Sequence, residues 1–304
     1  MNWFFIALLA TLCFSTITHI DKYLISRYLN SAGIGALMLF SSFFSIITLP
    51  IIFFIEKKIF SISPLNAIFL IGVGILSFVA IFFYLKALVY AEASVISPFF
   101  QLIPVFGFIL GFIFLGELIP IKSIIAGLII MTGISILSFE KKDNLSIRFN
   151  KKVVLLMIGS SFVYALYEVF FKVIAIKETF WVSLFWQNIG LLITGIFLYF
   201  FIPLYREDFH SLIKNNGFNI INLNLINESL NTVAVVLIQY ASLLAPIVLI
   251  FLVNSMQPLM VFLIGILLTL FIPKISQEDL RKKIILQKSI AIFIVLLGSY
   301  FLYF

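Results

Sequence analysis

The chain has 304 residues, 63% of them hydrophobic and 11% charged, with a net charge of +7 and a mean hydropathy of +1.21. Soluble domains carry about 25% charged residues, so this composition excludes a water-soluble globular protein, whose surface it cannot cover. The lone Cys13 excludes an internal disulfide and a thiolate metal site, and the basic residues fall in short runs between apolar segments, where snorkelling and orientation explain them better than nucleic acid does.

Apolar windows of about 20 residues cross a bilayer core. They recur at 2–22, 33–55, 66–90, 93–115, 121–139, 152–174, 180–203, 221–244, 246–271 and 288–304, ten in all. The fold class expected is an all-α integral membrane protein. Segments such as LIGVGILSFVAIFFYL lack the alternation of barrel strands, and the 37 Phe residues suit lipid-facing and packing positions. The N-terminus has no basic region and no small-x-small cleavage site, so the first run is read as a retained helix.

That run ends in FSTITHIDKYLIS, which sets His19, Asp21 and Lys22 beside hydrocarbon. Lys22 falls at the far interface and shares a face with Thr18 and His19. The fourth span carries Gln101 and Pro104; a proline inside a helix removes a backbone hydrogen bond and frees a carbonyl. In the sixth, Glu168 precedes Lys172 by four, the spacing of a within-helix ion pair. A central acid costs about 2.5–3.5 kcal/mol to insert, so Glu168 is expected to pair with Lys172 or to carry a coupling proton. The seventh span combines Trp186 with Gln187; the indole either stacks on a planar or cationic solute or anchors the interface. The eighth places Asn224, Asn227, Glu228 and Asn231 on one stripe at helical spacing, either a cavity wall or a wet helix end. The ninth carries Asn254, Gln257 and Pro258. The polar links at 140–152, 205–219 and 274–283 are too short to fold as soluble domains.

The chain also rhymes with itself. Shifted by 154, Ala87 meets Ala241, Ala91 meets Ala245, Pro104 meets Pro258 and Gly111 meets Gly265. At 153, Pro50 meets Pro203; at 150, Lys22 meets Lys172. The common order predicts a duplication into 1–145 and 146–304. Five crossings put the ends of a unit on opposite sides, so the second copy enters the membrane inverted. Inverted repeats about an in-plane pseudo-two-fold, with solute bound near the midplane, characterise many secondary transporters. On that plan Lys22 and Lys172 are either snorkelling lysines or anion-binding groups at two mouths of one cavity. Gln101, Glu168, Trp186, Gln187, Asn231, Asn254 and Gln257 are the candidate cavity residues, and Pro104 and Pro258 the candidate hinges.

The segments LGELIPIKSIIAGLIIMTGISIL (115–137) and ISPFFQLIPVFGFILGF (96–112), set in a paired ten-span layout, resemble EamA-type members of the drug/metabolite transporter superfamily. Gly116, Glu117 and Gly133 are the most recognisable marks. The second half departs from the pattern: Leu270-Phe271 stands where Gly-Glu would recur. The resemblance implies a basket of ten helices around a central cavity and transport of small metabolites by alternating access. The expected function is a secondary-active carrier for an amino acid, nucleobase-like or amphipathic drug-like solute, open to proton coupling; a flippase for lipid-linked substrates and a membrane enzyme are the alternatives. No HExxH, CxxC, Walker or GxSxG motif is present, so neither enzyme activity nor a cofactor is expected. The expected partners are a small-molecule solute and membrane lipid, with no nucleic acid, in a bacterial or archaeal cell membrane. Basic residues concentrate in the odd-numbered links, which by the positive-inside rule puts both termini outside; the resemblance implies cytoplasmic termini.

Overall fold

The computed structural model describes residues 2–28, 33–91, 96–138, 151–271 and 282–303. The expected boundary at 145/146, most of the 140–152 link and most of the 274–283 link lie outside the described residues. Within them every regular element is helical: α1 (Asn2–Tyr28), α2 (Ile34–Ile55), α3 (Pro64–Tyr90), α4 (Leu102–Leu115), α5 (Ile121–Ser138), α6 (Lys151–Ala175), α7 (Phe180–Phe201), α8 (Pro203–Leu244), α9 (Ile247–Asn254), α10 (Gln257–Phe271) and α11 (Lys282–Tyr303). Short 3₁₀ turns cover Ile59–Ser61 and Ser97–Gln101.

Among the described residues, seven stretches are long and apolar enough to cross a bilayer: most of α1, then α2, α3, α6, α7, the Gly217–Leu244 part of α8, and Ile247–Phe271. Phe99–Leu115, Ile121–Gly133 and Ser289–Phe301 are shorter apolar helical stretches. The chain is an integral, multi-pass membrane protein. Large apolar side chains such as Phe54, Phe112 and Phe271 point outward, as a lipid solvent requires.

Local chemistry sets several helix ends. Ser63 accepts a hydrogen bond from the Asn66 amide at 3.2 Å and Pro64 opens α3; Thr179 accepts one from the Val182 amide at 3.4 Å at the start of α7. Side-chain caps of this kind satisfy amides that have no intrahelical acceptor. Gly116 closes α4 at φ 64°, ψ 21°, a left-handed conformation that glycine adopts without steric cost.

Three expectations need correction. First, α1 runs on to Tyr28, beyond the expected end of the first span at 22, so Asp21 and Lys22 lie inside the helix. Second, the 205–219 link is helical, not a loop. Helix α8 starts at Pro203 and only Gly217 (φ 58°, ψ −143°) interrupts it; Phe209 packs on Phe40 and Phe43, with Leu212 and Ile220 buried below. Third, Pro104 and Pro258 do not interrupt helices. Each stands in the first turn of a new one, α4 and α10, where the missing N–H has no acceptor to lose. The breaks lie just before them, in the 3₁₀ turn ending at Gln101 and at Ser255–Met256.

The helices pack in a patterned way. Helix α3 packs on α6, and α1 on α8; α3 on α7, and α2 on α8; α4 on α6, and α9–α10 on α1. Helix α2 also meets α7, α4 meets α9 and α5 meets α11. Exchanging α1 to α5 with α6, α7, α8, α9–α10 and α11 in order returns the same set of pairs. Gly74 and Gly190 allow the closest approach, between α3 and α7: a Cβ on either would fall on the other helix's backbone. Such small-residue contacts replace the hydrophobic drive that lipid removes.

Candidate functional site

Among the described residues, side chains from both halves of the chain enclose a central cavity of about 180 Å³. The first half contributes Phe14, Thr18 and Asp21 from α1, Ser41 and Ser45 from α2, and Ser77 and Tyr84 from α3. The second contributes Ser160, Tyr164 and Tyr167 from α6, Gln187 and Asn188 from α7, Asn227, Glu228 and Asn231 from α8, and Asn254 and Gln257.

Most of its amides are engaged. Asn188 accepts from Thr48 at 3.1 Å and Ser45 at 3.5 Å, and donates to the Leu184 carbonyl at 2.8 Å. Gln239 donates to Gln187 at 3.0 Å. Helix α1 is laced to α9–α10 by a polar ladder: Thr11 to Asn254 at 3.4 Å, Ser15 to the Gln257 carbonyl at 3.3 Å, Gln257 to Thr18 at 3.0 Å, and His19 to the Val261 carbonyl at 2.8 Å. Thr11, Ser15 and Thr18 are buried, so each bond forms out of water, where leaving it unmade is costly.

Two carboxylates face this cavity from opposite halves. Asp21 accepts from Asn227 at 2.8 Å and from the Tyr84 hydroxyl at 3.3 Å. Glu228 accepts from Ser41 at 2.5 Å and from Asn231 at 3.4 Å. Both are buried, and among the described residues no cationic side chain pairs with either.

The sequence-derived candidates divide. Gln187, Asn231, Asn254 and Gln257 line the cavity; Lys22, Gln101, Glu168, Lys172 and Trp186 do not. Trp186 donates through Nε1 to the Ile59 carbonyl at 3.1 Å and meets Phe60 and Phe185 edge-on, fastening the α2–α3 link to α7. Gln101 is buried at the end of the 3₁₀ turn before α4. Glu168 is buried behind Tyr164 and Tyr167, beside Gln239, and its Oε1 has no hydrogen-bond partner.

The expected Glu168–Lys172 pair does not form. Lys172 pairs instead with Glu117 at 2.5 Å and donates to the Ala245 carbonyl at 2.8 Å. The reason lies at Gly116. Its left-handed turn lets the Glu117 amide bond back to the Gly111 carbonyl at 3.2 Å, which aims the carboxylate across the bundle. There its second oxygen accepts the Ile247 amide at 2.7 Å, capping α9. Lys22 takes the equivalent place in the first half, donating to the carbonyls of Leu88 at 3.4 Å and Ala91 at 3.3 Å where α3 ends. Ala91 and Ala245 are both extended caps, at φ −144° and −150°. Each lysine thus holds the C-terminus of a neighbouring helix, where partial negative charge collects, and neither is among the side chains that line the cavity.

Sequence reasoning left Asp21 out of the candidate list. Its signal was visible: Asp21 follows Ile17 by four and Thr18 by three, and all three line one face.

The model of the EamA-like transporter family matches residues 1–139. Those residues make up α1 to α5, a little under half of the chain; the family they match is one of transporters, and the matched stretch includes the Gly116–Glu117 turn just described. Twenty-five solved chains also match. One of them, a protein crystal structure, superposes with a TM-score of 0.69 over 99% of this chain and 95% of its own, at 14% identity. The shared fold therefore extends through α6 to α11. No curated protein matches the chain.

Proposed function

We propose that the chain is a secondary-active carrier that moves a small solute by alternating access of two inverted five-helix repeats, residues 1–145 and 146–304. The observation that carries this reading is the central cavity, walled by matching helices of both halves and lined by polar groups that lipid would not tolerate. The exchange of helix pairs supports the duplication, as does the matched placement of Lys22 at Ala91 and Lys172 at Ala245. The breaks before Pro104 and Pro258 supply two places where a helix can pivot, since short 3₁₀ stretches within a span often mark hinges. The partners of the reading are a small solute and the surrounding lipid of a bacterial or archaeal cell membrane.

Coupling to protons is assigned to Glu168, a carboxylate with an unpartnered oxygen behind the tyrosine wall of the cavity. Purified protein in proteoliposomes, loaded with candidate solutes and assayed for counterflow, tests the reading. Saturable exchange supports it, and Glu168→Gln then removes the pH dependence of uptake while exchange persists. Absence of any solute flux alongside scrambling of lipid-linked substrates would replace the carrier with a flippase.

A further inference from the structure

Among the described residues, Asp21 and Glu228 are the only charged side chains that line the cavity. They approach the same cavity from α1 and α8. Two buried carboxylates without a cation are expensive, since buried charges are normally paired. Asn227, only 4% exposed, lines the same cavity beside Asp21. Its amide orientation is fixed, because Nδ2 donates to Asp21; its Oδ1 then has no partner. The arrangement is a set of acceptors, two anionic and one neutral, with no donor supplied for the last. Phe14, Phe44, Phe100 and Tyr84 wall the same space, and aromatic faces attract cations.

We propose that the cavity binds a compact organic amine, its ammonium group held by Asp21, Glu228 and Asn227 Oδ1 and its apolar body among the aromatic rings. The proposal rests on the carrier reading and names its substrate class. An ammonium supplies the donor that Asn227 Oδ1 lacks and the missing positive charge at once. A zwitterionic amino acid is disfavoured, because among the described residues no cationic side chain lines the cavity to meet its carboxylate. A volume of about 180 Å³ falls below the roughly 300–1,000 Å³ of drug-sized pockets, which points to one ring rather than several.

The test uses the full chain in detergent, with phenethylamine as probe and 2-phenylethanol, 3-phenylpropionate and sodium ion as comparisons. Phenethylamine is expected to raise the melting temperature in a saturable way and to bind at least about tenfold more tightly than the alcohol or the acid. Asp21→Asn and Glu228→Gln are each expected to weaken it by about tenfold or more, and their combination to abolish it. Equal binding of the alcohol or the acid overturns the proposal, and so does stabilisation by sodium alone. Where a variant fails to purify as a monodisperse species, the wild-type ligand series still decides. Labelled phenethylamine flux in proteoliposomes separates the two readings. Binding without flux defeats the carrier and leaves the amine site; flux of other solutes with no amine binding does the reverse.

Discussion

The Glu117–Lys172 latch makes the most demanding prediction. Glu117→Gln keeps shape and hydrogen-bonding capacity but deletes the charge opposite an ammonium whose side chain is 6% exposed; Glu117 itself is 14% exposed. Removing one member of a buried pair costs about 3–5 kcal/mol, because the other charge stays buried. At roughly 2 °C per kcal/mol, the low end for long chains, the melting temperature in detergent falls by about 6–10 °C. Glu117→Ala falls further, since the Ile247 amide also loses its acceptor, at a cost of about 1–3 kcal/mol. The double variant Glu117→Gln/Lys172→Met recovers much of the loss, because replacing both charges is often neutral. Thermal unfolding followed by size-exclusion of the soluble fraction reads all of these. A Glu117→Gln protein within about 2 °C of wild type, or a double variant showing the plain sum of the single losses, would refute the reasoning.

Two further substitutions probe the scaffold. Gly116→Ala forces a Cβ into the left-handed conformation at φ 64°, at a cost of about 1–2 kcal/mol; part of the loss should vanish when Glu117 is already Gln, since the turn serves that carboxylate. Gly190→Ala drives a methyl group onto the Ile71 carbonyl, so α3 and α7 must part, at a cost of about 1–3 kcal/mol; unaltered thermal stability would mean that the two helices do not meet there.

How far the sequence carried depends on the type of signal. Apolar length is a strong signal: the all-helical, membrane-spanning fold was legible from it, and the likeness of residues 1–139 to the EamA-like transporter family from LGELIP, whereas of the ten expected spans seven are long enough to cross a bilayer among the described residues. The wall residues Gln187, Asn231, Asn254 and Gln257 were legible because an amide inside an apolar run has few other reasons to be there. Trp186 was misleading: an indole serves equally as a fastener, and only the Ile59 carbonyl settles which. Lys172 was misread because spacing identifies neighbours within a helix but says nothing of a carboxylate brought in from 55 positions away. Pro104 and Pro258 signalled a discontinuity, but its place, just ahead of them, depends on backbone geometry. The helical 203–216 segment was hidden by its charges, since RED and HSLIKNN read as a loop until Phe209 and Leu212 are seen to share a buried side.

The two lysines hold equivalent posts with unequal grips. Lys172 is clamped by a carboxylate that ties α4 to α6 and α9, whereas among the described residues Lys22 touches only carbonyls within its own half. If the carrier reading proposed above holds, a rocking machine built this way has one door bolted and the other merely pulled to. Swinging the halves past each other would then cost more in one sense than in the other, so the idle protein would dwell on one side of its cycle, and the cargo would have to supply the difference each time the bolt is drawn.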